Sequence, residues 1–383
     1  RRNRGTGREE ALVRLSSAGV YWEISPGRGG AGPESGLLAD ASGRDFTVNA
    51  IYYDPLTGNI LDPLGGLSDL AGRRLVLCSP EAAENDPLRL LRAMVLISRR
   101  SMTASGSFLV RARSLWPLLE KVSRSRLWPE WRRWSMSARP HLGLTFLKES
   151  RLINAWPALA VLEDTPQNRR CHPEGSVWNH TVLCVQAMSR LDLPDPRRRC
   201  HLMLAALLHD IGKPLVLRFS AHGSPITQGH AQAGVPAARK FLRSLTAPEL
   251  IIRRVARLVR WHMELAFKDH ERHILKQAAR KLAPDTDLID LWAITAADWD
   301  GRRPRLSLYP RSLEEFLEPA GGRADPDPPL LPGRELLEMG FEPGPNLGRI
   351  LDGMLEAQDL GQIRTPEEAR QWVRNRPADR VFE

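Results

Sequence analysis

The chain has 383 residues, more than one hydrophobic core usually organises, so roughly two to four domains are expected. Its 55 Lys and Arg outnumber 45 Asp and Glu, giving a formal net charge of +10 that favours a polyanionic partner. Four cysteines without CxxC or zinc spacing (Cys78, Cys171, Cys184, Cys200), no apolar run of membrane-spanning length and no visible signal peptide argue against a disulfide scaffold or a membrane protein and point to the cytoplasm.

Residues 1–35 begin basic and pass through an alternating apolar stretch (Val20, Trp22, Ile24) into a Gly-rich loop at 27–36. Strand-like runs at 46–53 and 59–62, joined by Pro55-Leu56-Thr57-Gly58, predict a hairpin, so 1–78 reads as a small α/β head. From 81 onward the pattern is helical nearly throughout, with breaks near 157–175, 192–197 and 321–334. The Gly- and Pro-rich stretch 321–333 is the clearest linker, and no internal repeat is visible. The expected fold class is α+β: a small, partial α/β head on 1–78, a helical neck on 79–165, a further helical domain on 166–320 and a helical tail on 321–383.

The stretch Asn85-Asp86-Pro87-Leu88-Arg89-Leu90-Leu91-Arg92-Ala93 carries the most chemical information. Asp86, Arg89 and Arg92 recur at three-residue spacing on one face of a helix starting near Pro87. A carboxylate beside a guanidinium can read a base edge with one donor and one acceptor. Cytosine and adenine present that edge, whereas uracil and guanine present the opposite polarity, so the pair would accept CTP and ATP. The same spacing also fits ordinary i,i+3 ion pairs on a helix surface. Upstream, Arg44, Asp45 and Asn49 interrupt an otherwise apolar run, and burying such groups is costly unless they are paired or used. Between 99 and 140, ten basic residues (Arg99, Arg100, Arg111, Arg113, Lys121, Arg124, Arg126, Arg132, Arg133, Arg139) face only Glu120 and Glu130, which suits a phosphate backbone. An Arg-rich composition is the competing account. Trp116, Trp128, Trp131 and Trp134 lie among them as helix-core anchors or base-stacking surfaces.

Three ordered segments resemble the class II nucleotidyltransferase family, the bacterial tRNA CCA-adding enzymes and related poly(A) polymerases. Arg44-Asp45-Phe46-Thr47-Val48-Asn49-Ala50 matches Arg-Arg-Asp-Phe-Thr-x-Asn-Ala, with Gly43 in place of the first Arg. Asp62-Pro63-Leu64-Gly65-Gly66-Leu67-Ser68-Asp69-Leu70 is similar to Asp-Pro-x-Gly-Gly-x-x-Asp-Leu, and 85–93 to Glu-Asp-Pro-x-Arg-x-Leu-Arg-Ala, with Asn85 for the Glu. Weaker likenesses cover Trp22 to Arg28, the neck segment Val122 to Arg126, and Pro343 to Gly348 in the tail. The resemblance implies that Asp86 and Arg89 select the base. It also implies that Arg44, Asp45 and Asn49 hold the ribose and triphosphate, that Arg92 adds charge near the phosphates, and that Mg2+ serves the transfer. The family's opening Gly-Gly-x-Val-Arg-Asp turn and Asp-x-Asp metal pair have no counterpart here. Before Arg44 the acidic residues are Glu9, Glu10, Glu23, Glu34 and Asp40, so Glu23 can supply at most one metal-binding carboxylate. The chain begins with Arg and not Met, and a sequence missing its N-terminal end is the expected explanation; as given, it should transfer nucleotide poorly.

A second constellation runs His180, His209-Asp210, His230, His262 and Asp298. The doublet follows an apolar helix (Leu202 to Leu208) and precedes Ile211-Gly212-Lys213-Pro214, a natural stop. This resembles the HD phosphohydrolase family, and His172 to Thr181 resembles the opening of that domain. The resemblance implies that His180, His209, Asp210 and Asp298 coordinate a divalent metal, with His230 and His262 as additional histidines. The mixed N/O set suits Mn, Ni, Mg or Zn. The six other histidines (His141, His172, His201, His222, His270, His273) read as structural or exposed. At the tail helix, Asn346 reads as an N-cap, the alternative being an RNA-phosphate contact.

The expected function is C and A addition from CTP and ATP to tRNA 3′ ends, with the acceptor arm gripped by the basic neck and neither membrane nor DNA as partner. The alternatives are a poly(A) polymerase or A-adding enzyme, an HD phosphohydrolase acting on RNA 3′ or 2′,3′-cyclic phosphates, and a non-catalytic tRNA-binding module.

Overall fold

The computed structural model describes residues 13–17, 20–24, 33–265, 271–302 and 312–375, with side chains from 36 onward. It divides into two compact units, 1–155 and 156–383.

In the first unit, β1 (Val13–Ser17) pairs antiparallel with β2 (Val20–Ile24), setting Glu23 opposite Arg14; the Glu23 side chain lies outside the described residues. Helix α1 (Pro33–Gly43) follows. The run at 46–53 departs from the expected strand. Phe46 makes one bridge to Leu77, Thr47–Asn49 is a 3-10 turn, and extended pairing is confined to β3 (Tyr52–Tyr53) and β4 (Ile60–Leu61). Asp45 is the cause, because its Oδ1 accepts from the Phe46 backbone N–H (2.9 Å) and from the Asn49 amide (3.0 Å), closing a local turn that competes with a ladder. Helix α2 (Gly66–Ala71) starts where Asp62 accepts from the N–H groups of Gly66 and Leu67, with Gly65 left-handed at φ 73°. A Cβ on Gly66 would collide with the Thr47 carbonyl, so Gly66 lets α2 press against the 3-10 turn. Strand β5 (Arg74–Leu75) leads through α3 (Ala82–Asn85) and α4 (Leu88–Arg100) to β6 (Thr103–Ala104), which pairs with β5 in parallel.

Helix α4 is the axis of the neck. Leu90, Leu91 and Met94 have no exposed surface, and α4 ends at Ser101 in the left-handed region (φ 53°). Helix α5 (Gly106–Leu115) packs against α3, while α6 (Arg124–Ser135) and α7 (Pro140–Glu149) pack against α4. Phe108 sits between Phe46 and Phe146, with centroids 5.8 Å from each, which joins head to neck. Trp131 and Trp134 are fully buried edge to face, and Trp134 Nε1 donates to the Pro140 carbonyl, so these two are core anchors; Trp116 and Trp128 are half-buried. Beside them Glu130 is buried, with Oε1 2.5 Å from Arg133 Nη1.

Among its described residues the second unit is helical apart from one short hairpin, β7 (Arg218–Phe219) with β8 (Pro225–Ile226), and a single bridge between Pro166 and Ser176. After α8 (Pro157–Ala160), helix α9 (Val177–Met188) packs against α10 (Arg199–Leu208). The short α11 (Lys213–Val216) leads to α12 (His230–Ser244) and α13 (Glu249–Trp261), which pair. Helices α14 (Arg272–Leu282) and α15 (Leu288–Gly301) complete the bundle, α15 lying along α9. Helix α16 (Leu313–Leu317) precedes a tail of α17 (Gly333–Glu338), α18 (Pro345–Asp359) and α19 (Pro366–Arg374). The stretch 321–333 is not a free linker. Leu331 is fully buried with Leu336 and Met354, Asp327 meets Lys276 (2.5 Å), and Arg280 donates to the Asp327 carbonyl and, through two nitrogens, to Asp359. Gly344, not Asn346, precedes the first turn of α18, and Asn346 is its second residue. The fold is α+β and mostly helical, as the sequence pattern predicts.

Gly66→Ala should lower the melting temperature of the chain, because the Thr47 backbone cannot yield to a Cβ; such overpacking costs about 1–3 kcal/mol. Gly106→Ala, where a Cβ on the first residue of α5 meets nothing, is the control and should not destabilise. Equal melting by both variants would contradict the packing argument. Burial raises the Glu130 carboxyl pKa despite Arg133 and Arg92 beside it, so the folded chain holds this proton more tightly than the unfolded one. Its contribution is then fully present below the ordinary carboxyl range and is lost as pH rises through the raised value. Glu130→Gln should flatten that fall in a series of urea midpoints taken from acid to neutral pH; a slope identical to wild type would count against it.

Candidate functional site

Two clusters carry chemistry, one in each unit. In the first, the residues expected at the nucleotide site are gathered around the start of α4. Asp86 precedes Pro87, and its Oδ2 lies 2.8 Å from Arg126 Nη2 on α6. Arg89 does not project beside it as a second loose reader. Its guanidinium donates to the backbone carbonyls of Gly43, Arg44 and Ala82, which pins the 43–44 segment to the neck. Arg126 therefore occupies the place beside Asp86 that the helix spacing suggests for Arg89. The nine-residue pattern at 85–93 could not show this, since Arg126 is 40 residues from Asp86 in sequence.

Asp45 Oδ2 lies 3.2 Å from Arg92 Nε yet accepts no hydrogen bond, although it is buried. Arg92 is thus engaged with Asp45 and with the field of Glu130. Asn49 holds Asp45 through its amide and accepts from Arg44 Nη1 at its carbonyl (3.2 Å). Arg44 also pairs with Asp40 (2.9 Å) and stacks 4.8 Å from the Tyr52 ring centroid. Burial and the hydrogen bond to Asp40 push the Tyr52 hydroxyl up to about 12. The result is a half-exposed carboxylate–guanidinium pair (Asp86, Arg126) above a fixed network of Arg44, Asp45, Asn49 and Arg92. Such a network can present acceptors and positive charge to a nucleotide without rearranging.

In the second unit, the six residues of the histidine–aspartate series converge. His180 comes from α9, His209 and Asp210 from the end of α10, His230 from the first turn of α12, His262 from the end of α13, and Asp298 from α15. His180 Nε2 is 2.8 Å from Asp298 Oδ1 and 3.8 Å from Asp210 Oδ2; His209 Nε2 is 3.1 Å from Asp210 Oδ2. His230 Nε2 is 3.2 Å from Asp210 Oδ1 and 3.2 Å from His262 Nε2. Each ring is oriented from behind. His209, His230 and His262 direct Nδ1 at the carbonyls of Ala206, Thr227 and Val259 (2.9–3.0 Å), and His180 directs Nδ1 at Glu174 (2.7 Å). With Nδ1 donating, the neutral form of each ring carries its lone pair on Nε2, and all four point inward. This is the outer-shell arrangement of metal-ligating histidine.

The electrostatics agree with a cation site. Burial opposes ionisation of Asp210, but His209 and Lys213 hold it well below the ordinary carboxylate range; for Asp298 the counterweights to burial are Arg302 and His180. Burial opposes the His209 cation, yet Asp210 and Cys184 raise its pKa to about 10. Burial, then His209 and His230, drive His262 down to about 3, so that ring is neutral. The carboxylates that draw protons onto these rings would draw a divalent cation equally. His209 Nε2 is buried without a well-aligned hydrogen-bond partner, and the residues fit a metal.

Five groups around this cluster escaped the sequence reading: His172, Glu174, Cys184, Lys213 and Arg302. His172 is packed edge-on to His180 and bonded to Glu174, whose carboxyl is brought down to about 2 against burial by His172 and His180. Lys213 Nζ lies 2.6 Å from Asp210 Oδ2, and Arg302 Nη2 lies 2.5 Å from Asp298 Oδ2. Helical spacing was the available signal: Cys184 is four residues after His180, Lys213 three after Asp210, Arg302 four after Asp298. Of the other unassigned histidines, His201 is buried at 3.1 Å from Asp290, His273 meets Glu271, and His270 lies outside the described residues.

Residues 23–76 match the Poly A polymerase head domain, and 177–300 match the HD domain. The chain is 33% identical over 355 residues to the CC-adding tRNA nucleotidyltransferase of Thermus thermophilus, covering 89% of this chain and 77% of that protein. It is 31% identical over 352 residues to the A-adding tRNA nucleotidyltransferase of Deinococcus radiodurans, covering 88% and 79%. The fold is similar to the CCA-adding enzyme of Bacillus stearothermophilus in complex with CTP (TM-score 0.62, 18% identity, 96% of this chain and 81% of that one). Both of its domains come from families that use divalent metal ions. Likeness of this extent to two tRNA nucleotidyltransferases, with the head and HD domains in the same order as the two clusters, makes this chain a member of the tRNA nucleotidyltransferase family of enzymes.

Proposed function

We infer that this chain serves the addition of cytidine and adenosine, from CTP and ATP, to tRNA 3′ ends without a nucleic-acid template. The observation that supports it best is the placement of Asp86, a half-exposed carboxylate flanked by a guanidinium, on a chain about equally similar to a CC-adding and an A-adding enzyme. In this reading Asp86 accepts from the exocyclic amine of cytosine or adenine. Arg126, or Arg89 released from its backbone carbonyls, donates to the ring nitrogen beside it. Asp45 Oδ2, buried and without a hydrogen bond, is the acceptor for a ribose hydroxyl, with Asn49 and Arg44 fixing its position. Arg44 and Arg92 supply charge for the triphosphate, and Glu23 is a candidate third carboxylate. Bound Mg2+ supplies Lewis-acid charge for nucleotidyl transfer. The exposed arginines of 99–140 suit the acceptor arm, and the four free cysteines suit a cytoplasmic setting. Among the described residues, no helix is long and apolar enough to cross a membrane. A poly(A) polymerase or an A-adding enzyme shares these features, and product length separates them: long A tails, a single A, or CCA.

Equilibrium binding of the four ribonucleoside triphosphates tests the base reader. CTP and ATP should bind in preference to UTP and GTP, and Asp86→Ala should reduce that preference about tenfold, the value of one good bidentate contact. Equal binding of all four by the wild-type chain would refute the assignment.

The second unit supports a further activity, hydrolysis of 3′-phosphate or 2′,3′-cyclic phosphate ends of RNA, carried by the inward-facing Nε2 atoms and the two carboxylates. His180, His209, Asp210 and Asp298 would hold the metal, with His230 and His262 beside Asp210; a bound divalent ion supplies an activated water. With Ni2+ or Mn2+, phosphate release from 3′-phosphate ends or ring opening of 2′,3′-cyclic ends to a monoester should vanish in Asp210→Ala and persist in Asp86→Ala. Neither reaction by the wild-type chain with either ion would exclude it.

A further inference from the structure

Cys184 has the surroundings of a ligand, not of a core thiol. It lies one turn beyond His180 on α9, so both side chains leave the same helix face. Its Sγ is fully buried and 3.2 Å from His180 Nε2. On the other side it is pressed against α15, where a Cβ on Gly301 would come within 2.7 Å of the sulfur. Glycine at 301 thus admits the sulfur between the two helices. Donor atoms of His180, Cys184, His209 and Asp298 all lie within 4.8 Å of one another, close to what one ion with bonds of about 2.0–2.3 Å spans. Asp210, His230 and His262 form a second such group.

We propose that Cys184 is a further protein ligand in this cluster, beside His180, His209, Asp210 and Asp298, which makes it a site for a thiolate-accepting cation such as Zn2+ in preference to Mg2+. The proposal rests on the cluster being a metal site at all. A donor set of imidazoles, carboxylates and a thiolate matches borderline ions, whereas Mg2+ keeps oxygen ligands and water. An ion there joins α9, α10 and α15.

The test is a titration of the metal-stripped full chain with Co2+, read by absorption. The wild-type chain should show visible d–d bands together with a near-ultraviolet thiolate-to-cobalt charge-transfer band. Cys184→Ser should keep the d–d bands, lose the charge-transfer band and bind Zn2+ at least about tenfold more weakly. Wild-type d–d bands without charge transfer, or a charge-transfer band that survives Cys184→Ser, overturns the ligand assignment while leaving the cluster a metal site. No cobalt bands at all overturns the metal reading itself. X-ray absorption of the Zn2+-loaded wild-type chain needs no variant: one sulfur at about 2.3 Å is expected, and a shell of nitrogen and oxygen alone refutes the proposal.

Discussion

Asp210 and Asp298 are each 2% exposed, and burying two carboxylates this completely sets the terms for the whole second unit. Taking a single ion out of water costs several kcal/mol even after relaxation, and attraction repays this only with close, well-aligned partners. Lys213 and Arg302 are those partners, each on the turn following its aspartate. Two positive groups against two negative ones would make a neutral internal salt bridge and nothing more. Four imidazoles are added to that balance, each with Nε2 turned inward and Nδ1 anchored behind. Folding energy alone gives no reason to orient four rings toward one point, since apolar side chains would pack there at lower cost. The arrangement is explicable as a cation site, to which α9, α10, α12, α13 and α15 each bring a side chain or the residue just past their end.

The first unit solves a different problem. Its motif residues hold backbone in place before they can meet any substrate. Asp62 caps α2, Gly66 permits the close approach of that helix, Asp45 folds the 3-10 turn, and Arg89 clamps the carbonyls of 43 and 44. Each of these contacts fixes the position of a neighbouring group, so Asp45 Oδ2 is left buried beside Arg92 with an acceptor to spare. Preorganisation of this kind lowers the cost of binding because the site does not reorganise when the ligand arrives. It also explains why the motif tolerates Gly43, which contributes its carbonyl, a group any residue carries.

What was legible in the sequence follows from this division. The His209-Asp210 doublet, its helix and its stop are local, and the periodic apolar pattern placed them correctly. His180 and Asp298 were legible through family resemblance, although 118 residues separate them. Cys184 and Arg302 carry only helical spacing as a signal, which is commonplace until the fold shows what stands beside it, and Glu174 carries none. The run at 46–53 reads as strand, yet only Tyr52–Tyr53 is one, because alternation cannot see Asp45 bonding to the Phe46 backbone and the Asn49 side chain. Residues 321–333 looked like linker from Pro and Gly content, yet Leu331 and Asp327 anchor them to α14 and the tail. Composition reports how stiff a chain is, not what it touches.

The basic neck shows how burial redistributes roles among residues that look alike in sequence. Trp131 and Trp134, interleaved with arginines, are locked in the core and unavailable to stack on bases, while Arg124, Arg126, Arg132, Arg133 and Arg139 remain exposed. Arg126 and Arg133 are paired with Asp86 and Glu130, so they are partly neutralised before any phosphate approaches. The surface that remains offers charge more than aromatic faces, with only Trp116 and Trp128 half-exposed. Affinity built that way comes from release of counterions and does not depend on base sequence. A tRNA end held by such a surface would be recognised by the path of its backbone. Discrimination between bases would then fall to Asp86 and the guanidinium beside it, which is consistent with a polymerising site that must accept changing 3′ termini while choosing only the incoming nucleotide.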